Sequence, residues 1–250
     1  MTRAFWVLLK REIGALLLSP IAYVLFVCMS VVLGFTFLVC VEWIDKGFRQ
    51  MPLLGMIFST FQFWISLIVL CPILTMRLFS DEYKSGTIEA LLTAPVTEWD
   101  VVLSKFFSSV TVYTILLSPS ALCLAVFQLL THNQVPLVWG PVVLTYSMLF
   151  LVGMFWLSIG VFASSLTRNQ IIAAIISFTG IAILFFIGML VYMISESSWK
   201  EMLEYFFTYQ HVTTFGQGLF DSRPVVFYLS GTLFFLTLTQ RVLAYRRFSL

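Results

Sequence analysis

A chain of 250 residues that is 60% hydrophobic and only 10% charged, with 26 Phe and 7 Trp and a mean hydropathy of +0.99, cannot be a soluble globular domain, in which about a quarter of the residues are charged. Fourteen Lys and Arg against twelve Asp and Glu leave a net charge of +2, and without a polybasic run nothing suggests a nucleic-acid partner. Cys28, Cys40, Cys71 and Cys123 lie in or at the edge of apolar runs with no CxxC spacing, so neither a disulfide framework nor a zinc site is indicated.

In chain order, Thr2 to Ser19 places Trp6, Leu9, Ile13 and Leu16 at helical spacing on one face and offers Arg3, Lys10 and Arg11 to lipid headgroups. This predicts a helix lying in the membrane interface, although a basic extension of the first span would have the same composition. The apolar run that follows is too long for a signal peptide and lacks a small-x-small cleavage site, so it is read as a retained span. Six apolar runs emerge, at about Pro20 to Val41, Leu53 to Thr75, Val101 to Leu130, Pro136 to Leu166, Ile171 to Ile194 and Pro224 to Tyr245. Each reaches the roughly 20 residues that a helix needs to cross about 30 Å of hydrocarbon. They are continuous and do not alternate with period two, which favours helices over a barrel. The third and fourth exceed the minimum and must tilt, kink at Pro119 or Pro141, or project beyond the bilayer.

Small residues four apart, Gly160 with Ser164 and Ala173 with Ser177, predict close packing of the fourth and fifth runs, antiparallel across the Thr167 to Asn169 turn. Hydroxyls such as Ser59, Thr60, Ser66, Ser108, Thr111, Thr114 and Ser118 fall within the spans, either lining a path or bonding within their own helices. Ser195 to Arg223 mixes aromatic with polar residues and is read as short helices or a re-entrant hairpin at the outer face, with Gly216 and Gly218 marking a turn.

With both termini inside, ten Lys and Arg fall in the inner loops and tails against four outside. The positive-inside rule therefore orients the chain as a multi-pass membrane protein with cytoplasmic termini, and the membrane is expected to be the cell's inner one. The spans hold essentially no ionisable group, which argues against an ion-coupled carrier. His132 and His211 have no ligand-spaced neighbours, and no GxSxG elbow or GxxxxGKS/T phosphate loop occurs. Catalytic residues and a metal site are expected to be absent, and the chain is read as no enzyme.

One polar island, Met76 to Lys105, interrupts this hydrocarbon and holds five of the twelve acids. Arg77, Asp81, Glu82 and Lys84 extend the second span, and Gly86 breaks the pattern. Thr87 then caps a new helix with Glu89 in its first turn, where the dipole favours an acid. Ile88, Leu91 and Leu92 share a face, and Ala94-Pro95 ends the element after about two turns, roughly 10 Å. Thr97-Glu98-Trp99-Asp100 has the form of a capping box and starts the third span. So short a helix needs something to bury its apolar face, either a partner or the inner leaflet.

The run Pro72-x-x-Thr75-Met76-Arg77-Leu78-Phe79, then Asp81-Glu82, then Gly86-Thr87-Ile88-Glu89-Ala90-Leu91-Leu92-Thr93-Ala94-Pro95-Val96-Thr97, then Lys105-Phe106 resembles the signature of ABC-2 type transporter permeases. It is most similar to the branch that includes permeases of gliding motility and of nitrous-oxide-reductase maturation. Ser19-Pro20-Ile21-Ala22-Tyr23 and the Arg246-Arg247 tail add weaker matches, whereas Ser80 to Lys84 is less basic than the family pattern.

The resemblance implies an all-α, six-span exporter permease in a single domain over 1–250. It implies pairing with a second copy or a related permease, and a separate ATP-binding subunit that holds ATP and Mg. Residues 87–93 would be the coupling helix, with Ile88, Leu91 and Leu92 as docking face. Asp81, Glu82 and Glu89 would be its polar contacts to the ATPase, Gly86 and Pro95 the bends, and Thr87 the cap. The competing reading is a channel or scaffold, not driven by ATP, that recruits a cytosolic factor through residues 76–105. The substrate is unnamed on either reading.

Overall fold

Ser19 in extended conformation, followed by Pro20 at the first helical position, separates helix α1 (Arg3–Leu17) from α2 (Pro20–Asp45). Proline suits that position because its missing N–H would have no intrahelical partner there. The computed structural model describes residues 3–47, 52–89, 96–131, 138–192 and 203–248. The remaining helices are α3 (Leu53–Phe58), α4 (Phe61–Thr75), α5 (Ser80–Ser85), α6 (Glu98–Leu130), α7 (Trp139–Leu166), α8 (Gln170–Met189), α9 (Thr208–Gly216) and α10 (Ser222–Phe248). A 3-10 turn, Leu190–Tyr192, follows α8. No strand occurs among the described residues.

Six helical segments are long and apolar enough to cross a membrane: Pro20–Asp45, Phe61–Ser85, Glu98–Leu130, Trp139–Leu166, Gln170–Met189 and Ser222–Arg247. The chain is an all-α, multi-pass membrane protein. Their outward faces are apolar, as a hydrocarbon solvent allows: Val24, Val27, Val31 and Leu38 on α2, Ile171 and Ile175 on α8, and Leu233 and Phe234 on α10 are exposed.

The second apolar run differs from the expectation. It divides at Ser59 and Thr60, whose hydroxyls donate to Met56 O at 2.9 Å and Ile57 O at 2.7 Å. These bonds occupy carbonyls that the end of α3 leaves without helical partners. The six residues of α3 are all buried, and α3 packs against α9, where a Cβ added to Gly216 would stand 3.1 Å from Gly55 Cα. Gly218, at φ +85, closes the turn after α9. Residues 193–202, the start of the expected outer segment, lie outside the described residues.

The bundle is centred on α4, which packs between α2, α7 and α8. Trp64 of α4, Trp156 of α7 and Phe185 of α8 meet with ring centroids 5.5 to 6.2 Å apart, within the range of favourable aromatic pairs. The fourth and fifth spans are neighbours, with Ala173 and Ser177 buried. Gly160 and Ser164, however, face the second span. A Cβ on Gly160 would fall on the Thr75 side chain, so α7 and α4 leave no room for a side chain at position 160.

Gly160→Ala should force these helices apart at an overpacking cost of about 1–3 kcal/mol, read as a lower thermal midpoint of the purified chain in detergent. Adding Thr75→Ala should recover part of the loss.

Candidate functional site: an ion cluster at the polar end of the bundle

Below Thr75 the α4 helix gives way to a turn over residues 76–79, which leaves backbone groups to be satisfied. The Ser164 hydroxyl of α7 does this, accepting from Phe79 N at 2.9 Å and Ser80 N at 3.3 Å and donating to Met76 O at 3.3 Å. One short side chain thereby fixes where α5 begins. Asp81 and Glu82 stand in the first turn of α5, where the helix dipole favours acids.

Lys105 lies two turns into α6 and is 2% exposed. A buried ammonium is tolerable only when paired. Its Nζ is 2.8 Å from Glu82 Oε1 and 3.1 Å from Glu12 Oε1, and 5.3 Å from the centre of the Phe79 ring. Both carboxylates are mostly buried, and Glu82 Oε2 has no hydrogen-bond partner among the described residues. The cluster joins α1, α5 and α6 at one point.

Further ties surround it. Asp81 accepts a hydrogen bond from Gln170 of α8. The Arg246 guanidinium lies 4.1 Å from the centre of the Tyr83 ring and donates to Leu166 O at 3.1 Å, a carbonyl at the end of α7. Arg247 pairs with Glu98 Oε1 at 2.6 Å. Thr97 Oγ1 accepts from Asp100 N at 3.2 Å while Asp100 Oδ2 accepts from Thr97 N at 3.4 Å, so the capping box read from sequence is formed.

Helix α1 contributes Glu12 because of the face it turns inward. Phe5 is buried against Phe107 of α6 at 6.4 Å, and Leu8 and Leu16 join the core. Of the stripe expected from sequence, Leu16 joins the core, whereas Trp6 is mostly exposed and Phe5 is buried in its place. The ion pair of Glu12 with Lys105 lies on this inward side and is invisible to local periodicity.

The residues predicted for the loop divide. Gly86, at φ +72, ends α5 in the left-handed conformation that glycine adopts without strain. Thr87 is exposed and its hydroxyl lies 2.9 Å from Ser85 Oγ. Ile88 turns into the chain and is 7% exposed, and Glu89, exposed, donates its N–H to Gly86 O at 3.3 Å. Thr87 to Glu89 are helical. Leu91, Leu92 and Pro95 lie outside the described residues. Asp81 and Glu82, expected to meet a partner, are engaged within the chain by Gln170 and Lys105.

At the opposite end, a cavity of about 580 Å³ is lined by residues including Glu204, His211, Asp221 and Arg223. His211 Nδ1 is 3.2 Å from Tyr228 Oη, which donates to Thr208 Oγ1 at 3.1 Å. Burial pushes the His211 imidazole down from 6.5 to about 4, because desolvation disfavours its cationic form. His132 lies outside the described residues.

An alignment model for the ABC-2 family transporter proteins matches residues 53–248. The chain belongs to the ABC-2 transporter family. The match begins at α3, so α1 and α2, including Glu12, precede it. No curated protein matches the chain significantly. Family membership together with six apolar helices makes this ABC-2 protein a transport permease, and permease components of the family typically work with an ATP-binding subunit.

Two outcomes follow from the geometry of the two ends. Lys105→Ala should cost about 3–5 kcal/mol, since it strands two buried carboxylates. The triple variant Lys105→Met, Glu12→Gln, Glu82→Gln should recover most of the lost thermal stability. At the other end, the His211 ring should stay neutral until pH falls to about 4, as read from ring carbon shifts of labelled protein. The unfolded chain takes up that proton near 6.5, so the contribution of His211 is fully present above that pH and is lost as pH falls from 6.5 to about 4.

Proposed function

We propose that this ABC-2 chain is the membrane-spanning subunit of an ATP-driven exporter and that residues 86–97 receive the motion of a separate ATP-binding subunit. The observation that carries this reading is Lys105, buried at the foot of that loop and paired with carboxylates on two other helices. A loop that is to move spans needs a stiff base. Here the segment entering the loop (α5), the helix leaving it (α6) and α1 are held by one desolvated charge cluster, so displacement of the loop passes to the second and third spans together.

On this reading Gly86 and Pro95 bend the chain at either end of the coupling helix, and Thr87, expected as its cap, is its first helical residue, preceded by Gly86. Ile88 anchors its first turn to the permease, leaving Leu91 and Leu92 as the apolar face that docks into the ATPase, with Glu89 beside them. Asp81 and Glu82 act on the ATPase through the loop they support, their own side chains being held by Gln170 and Lys105. ATP and Mg are bound by the partner subunit. The permease works as a dimer, with a second copy or with a related permease.

The polar end faces the cytoplasm of a cell whose inner membrane the chain spans. In support, Glu12 near one terminus and Arg247 near the other both pair with residues of that end. The excess of basic residues predicted inside agrees with this placement.

Leu91→Asp with Leu92→Asp should leave membrane insertion intact while abolishing co-purification of the ATP-binding subunit in mild detergent. If the double variant still co-purifies the ATPase and retains substrate-stimulated hydrolysis, the coupling role of the loop is wrong. If the unaltered chain co-purifies no protein with a phosphate-binding loop, the exporter reading fails in favour of a channel or scaffold.

A further inference from the structure

We propose that the groove between α7 and α10 at the polar end is a binding site for an anionic phospholipid. Arg241, with Arg246, holds the phosphate, and an acyl chain lies along Phe162, Leu238 and Val242. The groove is open along one side, has a volume of about 490 Å³ and is lined by these five residues and Tyr245. Leu238, Arg241, Val242 and Tyr245 follow one another at i, i+3, i+4 and i+7, a single face of α10. Phe162 closes the other wall from α7 and meets Phe235 at a tilted angle with ring centroids 5.8 Å apart.

The chemistry of the groove is graded along its length. Its membrane side is hydrocarbon, and its rim carries two guanidinium groups, an exposed tyrosine and, among the described residues, no carboxylate. The neighbouring bases are differently employed. Arg247 is paired with Glu98, whereas Arg241 is exposed and forms no salt bridge among the described residues. A guanidinium at the hydrocarbon boundary matches a phosphate in charge and geometry. Basic pockets between spanning helices are the sites at which acidic headgroups are recognised. Tyr245 is an amphipathic ring of the kind that settles at headgroup level. A headgroup with its own ammonium would bring a cation up to Arg241 and Arg246, so the site selects a net negative lipid.

Occupancy bears on the ion cluster. Arg246 is the residue whose guanidinium lies over Tyr83 of α5 and donates to Leu166 O. A phosphate that shares Arg246 therefore sits against the clamp joining α10 to α5 and strengthens it. The inference rests on the orientation proposed above only for which leaflet supplies the lipid, and it requires no ATPase.

The test uses the full chain in mild detergent, titrated with phosphatidylglycerol, phosphatidylcholine or inorganic phosphate, with thermal midpoint as one readout and bound lipid by native mass spectrometry as the other. The midpoint should rise with phosphatidylglycerol alone, and Arg241→Ala should weaken its apparent affinity about fivefold, as expected for one basic group at a membrane surface. Arg168→Ala, which removes an exposed charge at the same end but outside the groove, should bind as the unaltered chain does. The proposal is overturned if phosphatidylcholine serves as well, if inorganic phosphate alone gives the full shift, or if Arg241→Ala retains full affinity. It is equally overturned if Leu238→Cys links two copies through the groove, since the occupant is then a second chain. Failure of this test leaves the Leu91 and Leu92 result untouched, and the reverse holds as well.

Discussion

The architecture of the polar end depends on how a lysine ammonium is paired where almost no water reaches it. The Lys105 ammonium is met by acids, one carboxylate from each of two other helices. Coulomb attraction falls off slowly in such surroundings, and the ions cannot be separated without exposing each to a medium that solvates it poorly. The three helices are therefore bound by a term that resists displacement in any direction. Packing of apolar side chains in a bilayer provides no comparable restraint, because lipid tails are as apolar as the residues they would replace.

Around this point the other contacts read as a consistent set. Ser164 holds the turn from which Glu82 is presented, and Gly160 lets α7 come close enough for Ser164 to reach it. Arg246 and Arg247 close the far side from α10. Residues from five spanning helices and α1 thus converge on a region that the sequence shows only as an interruption in hydrocarbon. Towards the other end the means change to rings and bare backbone: the Trp64, Trp156 and Phe185 contact, and the Gly55 and Gly216 approach.

Features written in local chemistry were legible from the sequence. The six apolar runs, the capping box at Thr97, the stop at Gly86 and the turn at Gly218 each follow from a few adjacent residues, and the structure has them. Features that depend on which helix lies alongside were not. The spacing of Gly160 and Ser164 marks a face but does not say that the face meets α4, and Ser59 with Thr60 looks like any pair of hydroxyls in a span until α3 is seen to turn there. Lys105 gave the least warning, since its partners stand 93 and 23 residues away and no period in the chain connects them. The family motif draws attention to residues 76–105, but it could not tell that Asp81 and Glu82 are held within the chain by Gln170 and Lys105.

The distance in sequence between Glu12 and Lys105 also sets an order of events in biogenesis. The chain is made from its N-terminus, and at about 5–20 residues per second the 93 residues that separate the pair take roughly 5–20 s to synthesise. Throughout that interval α1 lacks both its cationic partner and the α6 face that buries Phe5. Its final seat becomes available when the third span enters the membrane with Lys105 at its base, so the docking of the first helix reports that insertion has proceeded in register.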